Sequence, residues 1–196
     1  MAPRPPPRFR RDLRRAMNKA MADRARLMTG ARLLAALVPV ACGLLAVFVS
    51  NLPVTLLGGL VPPPLLGLVP VYFWCLVRPD LMTPAAAFVI GILQDIMGGG
   101  PPGVWTLSFV AAYAVVARQR DAFAGLSGLG AVLGFSTAAL IACAVAYLTV
   151  ALYYWHLTPL GPMVGELVMT VLFYIPGAFV VGSIHRRLVG AARSDP

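Results

Sequence analysis

Two carboxylates stand inside otherwise apolar sequence. Asp95 lies in GILQDIMGGGPPG, residues 91–103, and Glu166 lies in LGPMVGELVMT, residues 160–170. An acid in such a setting can act as a general acid, hold a cation or a partner's basic group, or anchor a helix end. Other chemistry-bearing side chains are sparse. The histidines are His156 and His185, and the cysteines are Cys42, Cys75 and Cys143. The cysteines are far apart in sequence, which gives neither a disulfide framework nor metal-ligand spacing. There is no G-x-S-x-G, H-E-x-x-H or P-loop pattern. No catalytic residue, metal or cofactor is expected.

The elements that carry these residues belong to lipid. Of the 196 residues, 59% are hydrophobic and 12% are charged, against about 25% charged in a soluble domain. The apolar residues come in long blocks. Blocks at 33–53, 65–77, 84–98, 104–117, 129–153 and 163–184 predict an all-α polytopic protein of six transmembrane helices. Between the first two blocks, Gly58, Gly59 and Pro62, Pro63 and Pro64 break any straight helix. That stretch predicts a short or re-entrant piece, whose backbone must be buried in protein or face water.

Basic residues set the orientation. Ten of the sixteen Lys and Arg residues lie within residues 1–32. With the N-terminus in the cytoplasm and six spans, the remainder (Arg78, Arg118, Arg120, Arg186, Arg187 and Arg193) also face inward. The positive-inside bias is then complete, and both termini are cytoplasmic. Trp105, Tyr153, Tyr154 and Trp155 fall at the outer interface, and Tyr72 and Trp74 near the inner one. His156 and His185 fall at opposite faces and cannot share a site.

Three units follow: a basic cytoplasmic tail (1–32), a membrane domain (33–187) and a cytoplasmic C-terminal tail (188–196). In the first tail, Phe9, Leu13, Met17 and Met21 recur at helical spacing beside Arg10, Arg11, Arg14, Arg15 and Lys19. This reads as an amphipathic helix on a membrane of anionic lipids, or as a plain basic tail that fixes topology. Nucleic acid is not the expected partner.

Asp95 ends the third span, where the helix dipole disfavours an anion. The start of the fourth span, near Gly103, Val104, Trp105 and Thr106, offers backbone N–H groups without intrahelical partners. Asp95 is therefore expected to reach across the corner and cap that helix. Gly99 and Gly103 are expected to allow close backbone approach. The rival role is binding a cation or a partner's cationic group. Glu166 is expected in the first turns of span six, where the dipole favours it.

Pro70, Tyr72 and Trp74, then Arg78 and Pro79, then Gly91, Asp95, Gly99 and Gly103 form a run that resembles the rod shape-determining protein MreD family. The resemblance covers roughly residues 33–187. Pro102 departs from it, standing where the family tends to have an aliphatic residue. The resemblance implies a bacterial inner-membrane protein of the cell-elongation machinery without enzymatic activity. It implies MreC as partner and, through MreC, the MreB filament and peptidoglycan synthases. It also implies a fold like the substrate-binding subunits of energy-coupling-factor transporters. A non-catalytic scaffold is the leading expectation. Gly125, Gly128, Gly130 and Gly134 suit close approach of a partner's helix or of a neighbouring span. A small-molecule binding or transport subunit is the alternative.

Overall fold

The computed structural model describes residues 37–52, 62–125 and 128–189. The basic tail with Arg10, Arg11, Arg14, Arg15 and Lys19, the break at Gly58 and Gly59, and residues 190–196 lie outside the described residues. Leu37 apart, the described residues fall in one compact unit that begins at Val38. Among them every regular element is a helix: α1 (Leu37–Ser50), α2 (Leu68–Val77), α3 (Pro84–Gly98), α4 (Val104–Arg118), α5 (Arg120–Ala124), α6 (Leu129–Tyr154), α7 (Leu160–Leu172) and α8 (Tyr174–Ile184). A π-helical turn, His185–Val189, closes the series.

By length and composition α6 is long and apolar enough to cross a membrane. Its 26 residues rise about 39 Å, more than a hydrocarbon core of about 30 Å. The pair formed by α7 and α8 passes the same test as one broken span, bent by 45°. The cause is local. Pro176 has no N–H for the carbonyl of Leu172, and its ring crowds that carbonyl. The expected straight span over 163–184 is therefore two helices, and the first of them starts earlier, at Leu160.

The second block also differs from expectation. Its helix begins at Leu68, not Leu65, and has 10 residues. Seven of them are buried, Tyr72 and Trp74 among them. These two aromatics are therefore core residues rather than members of an inner interfacial belt. Tyr72 meets the rings of Phe123, Phe135 and Tyr174 edge-on. Phe135 stacks on Tyr174 at 4.3 Å. The link after α4 holds a short helix, α5.

The irregular chain before α2 is fastened from both sides. Leu65 is fully buried, and its N–H donates to Thr170 Oγ1 at 2.9 Å. Thr170 in turn donates to the Glu166 carbonyl at 2.7 Å. The Ser50 hydroxyl donates to the carbonyl of Pro64. Backbone freed from the helix is thus satisfied by protein, as its burial requires.

Glycines set the closest crossings around α1. A Cβ on Gly43 would come within 2.3 Å of Ile90 in α3, and one on Gly67 within 2.5 Å of Val47. Hydroxyls inside helices turn back to their own backbone: Ser108, Ser136, Thr137, Thr149, Thr170 and Ser183 each donate to the carbonyl four residues earlier. The outer face of α6 is apolar too, with Leu129, Leu133, Leu140, Leu148 and Leu152 exposed. Only 39% of its most apolar window is buried.

Replacing Thr170 with Val removes the acceptor for the Leu65 N–H while keeping shape. This substitution is expected to cost about 1–3 kcal/mol, the penalty of a buried unpaired donor. Thr170→Ser is expected to stay close to the parent. Thermal unfolding in detergent checks the pair.

Candidate functional site

The corner between α3 and α4 gathers Gly91, Asp95, Gly99 and Gly103. Each residue has a separate physical task. Thr83 caps the start of α3, its hydroxyl accepting from the Ala86 N–H at 3.2 Å, with Pro84 preset at the first helical position. The helix ends at Gly99, whose φ of 67° is left-handed. Gly103 stands before α4 with φ 93°. A side chain at either position would meet nothing within 4 Å. Their task is therefore to turn the chain, which corrects the expectation of close backbone approach at these two glycines.

Close approach occurs at Gly91 instead. A Cβ there would lie 2.5 Å from Thr106 Cα and 3.1 Å from both Thr106 N and the Trp105 carbonyl. Gly91 and Asp95 are four residues apart and share one face of α3. The glycine lets the backbone of α4 come in, and the acid then meets it.

Asp95 makes the bonds of a helix cap. Its Oδ2 accepts from the Gly103 N–H at 3.0 Å, the Thr106 N–H at 3.0 Å and the Thr106 hydroxyl at 2.5 Å. Its Oδ1 accepts from the Trp105 N–H at 2.8 Å. Gly103 offers α4 no side-chain cap of its own. Asp95, 8% exposed, supplies the cap from the preceding helix. Four donors offset both the desolvation of the carboxylate and its place in the last turn of α3. With both oxygens engaged, the group is in a poor position to act as a general acid or to ligate an ion.

Glu166 behaves differently. Because α7 starts at Leu160, Glu166 is its seventh residue, beyond the first turn. The dipole effect expected to support it falls off within that turn. Its half-buried side chain makes no hydrogen bond or ion pair with any described residue. The structure does not bring Glu166 to the Asp95 corner.

Arg78 follows α2 and holds Asp80 through two bonds, Nε to Oδ1 at 2.9 Å and Nη2 to Oδ2 at 2.8 Å. The fork steadies the turn that contains Pro79. It raises the Arg78 pKa further above its already high value, chiefly through the bond to Asp80. Cys75 and Cys143 are buried free thiols and Cys42 is half-buried. Among the described residues no three His, Cys, Asp or Glu side chains come together.

Sequence reasoning missed Thr170 and Ser50, which fasten the start of α2. A hydroxyl in an apolar run signals only a need for some acceptor. Nothing in its spacing names a partner more than a hundred residues away.

Asp95→Ala strands three backbone N–H groups and is expected to cost about 2–4 kcal/mol. Asp95→Asn keeps one oxygen but turns an amide N–H toward a donor, for an expected loss of about 1–2 kcal/mol. Thermal unfolding of the purified variants orders them. An Asn variant of full stability would remove capping as the reason for the acid. Gly91→Ala forces α3 from α4 and is expected to lower the melting temperature more than Gly99→Ala does. No family model, curated protein or solved structure matches the chain.

Proposed function

We propose that the protein is a non-catalytic scaffold of the bacterial inner membrane, of the MreD kind. In this reading it has six spans and cytoplasmic termini, and it binds MreC. Through MreC it supports MreB, the side-wall peptidoglycan synthases and rod shape. The observation that carries the reading is the acid-capped corner. The residues of the family-like run, Gly91, Asp95, Gly99 and Gly103, each have a constructional task there, and the carboxylate is consumed by capping.

A lipid setting is supported by three features. The helix α6 is apolar on its buried and its exposed face, as a span is and a surface helix of a soluble protein is not. Helix hydroxyls are returned to their own backbone. The end of α2 that carries Arg78 and the end of α8 that carries Arg186 come together, since the rings of Phe73 and Trp74 meet His185. Helices α1 to α4 have 10–15 residues, fewer than the roughly 20 of a full span. Burial of α2 among its neighbours and capping of α3 and α4 relieve that shortness.

The alternative, a small-molecule subunit, would draw on the broken start of α2, because interrupted helices often line a binding site. There the free backbone groups are taken by Ser50 and Thr170, which favours the scaffold.

Co-expression with MreC is expected to give co-purification in detergent. Photocrosslinkers placed at Phe88, Ile92, Leu133, Leu140 and Phe179 are expected to react with MreC from one face only. A purified protein with no affinity for MreC would overturn the scaffold. A stoichiometric bound metabolite in native mass spectrometry would favour the alternative.

A further inference from the structure

The corner between α6 and α7 places a bulky ring where the backbone asks for glycine. Trp155 ends α6 with φ 55° and ψ 25°, the left-handed conformation that glycine usually supplies after a helix. The other positive φ values among the described residues belong to Gly99, Gly103 and Gly128. A tryptophan in this conformation is strained, and such strain points to a use for the side chain. Packing within the protein is not that use, because Trp155 is 89% exposed.

Its surroundings form one apolar patch. Leu152, Tyr153, Tyr154, Leu157 and Leu160 are all exposed, Leu157 at 77%. The link that carries them is tied down: the Tyr147 hydroxyl of α6 donates to the Thr158 carbonyl at 3.1 Å. With histidine neutral, residues 152–162 carry no charge. A contiguous exposed patch of this kind marks a contact surface.

The start of α7 limits what can cover it. Pro159 precedes that helix and gives it no side-chain cap. The N–H groups of the first turn are left to acceptors outside the helix, and hydrocarbon offers none. Bulk water would supply acceptors but leave Trp155, Leu157 and Leu160 wet. The headgroup layer of a bilayer supplies acceptors and apolar cover together. The length of α6 agrees, since its rise of about 39 Å carries its end beyond a hydrocarbon core of about 30 Å. A protein partner is less suited, because an uncharged corner has no ion pair with which to fix its register.

We propose that the α6–α7 corner is a membrane anchor that inserts Trp155, Leu157 and Leu160 into the headgroup layer. The indole ring lies against the upper acyl chains, and its N–H donates to lipid ester oxygens. Leu157 and Leu160 follow the end of α6, so the chain turns within this layer and does not loop out into water. The contact is indifferent to headgroup charge. It rests on the membrane reading above and is independent of the scaffold role.

The full chain is purified in mild detergent and reconstituted into nanodiscs of phosphatidylcholine. The acyl chains carry bromine either near the carbonyl end or near the methyl end. The fluorescence of Trp155 is the difference between the parent and Trp155→Phe. It is expected to be quenched more by the shallow bromine than by the deep one. Exchanging half of the lipid for phosphatidylglycerol is expected to leave the quenching unchanged. Leu157→Asp is expected to reduce it. Trp155→Gly relieves the left-handed strain and is expected to keep or raise the melting temperature in detergent. Carbonate extraction reports membrane insertion separately. A chain released by carbonate refutes the membrane reading. An inserted chain whose Trp155 escapes both bromines refutes the anchor alone, and so does one quenched mainly by the deep bromine. Quenching that requires phosphatidylglycerol refutes the uncharged contact. A melting temperature lowered by Trp155→Gly assigns the ring to packing within the protein and overturns the proposal.

Discussion

The Asp95 carboxylate lies between two helix poles that would otherwise be poorly placed. The end of α3 presents carbonyls and the start of α4 presents N–H groups, and a short corner forces the two together. One side chain serves both, because its charge is disfavoured by the first helix only as long as the second is absent. Gly91 makes the approach possible, and Gly99 and Gly103 make the turn possible. If any of the four fails, the N-terminal N–H groups of α4 lose their acceptor or the two helices lose their register. The contact of α4 with α6, and of α2 with both, depends on that register.

The same constraint recurs wherever the chain departs from a straight helix. At the start of α2, backbone groups released by the prolines are taken by Ser50 and Thr170. At the bend between α7 and α8, Pro176 removes a donor that the helix no longer needs. Inside the helices, hydroxyls turn back on the preceding turn. Polar groups are settled locally, which leaves outward faces almost wholly apolar. A protein built this way keeps its polar groups close to their own backbone and presents a largely apolar surface.

Much of this was legible in the sequence. The apolar blocks mark the helices because outward-facing and core-facing residues are both apolar. The Asp95 cap was legible because a lone acid in a last turn needs donors, and a corner of glycine and proline puts the next helix start within reach. The ends of α7 were not legible, since Pro162 suits a helix start and Pro176 can either bend or be absorbed. That ambiguity misplaced Glu166 by most of a turn. The tasks of the glycines were only half legible. Spacing alone does not separate a glycine needed for a left-handed φ, as at Gly99 and Gly103, from one needed for space, as at Gly91. Tyr72 and Trp74 look interfacial by type, and only the packing of α2 among its neighbours buries them.

The bond from the Leu65 N–H to Thr170 has a consequence for how the protein is made. Its partners are 105 residues apart. At about 5–20 residues per second, synthesis delivers the hydroxyl roughly 5–20 s after the amide it will satisfy. Ser50 is already present to hold the Pro64 carbonyl, so one side of the irregular segment is settled early and the other must wait. Until α7 arrives, that amide needs water as a temporary acceptor. A nascent chain that ended after α4 would carry the whole acid-capped corner and still lack the contact that satisfies the buried amide before α2.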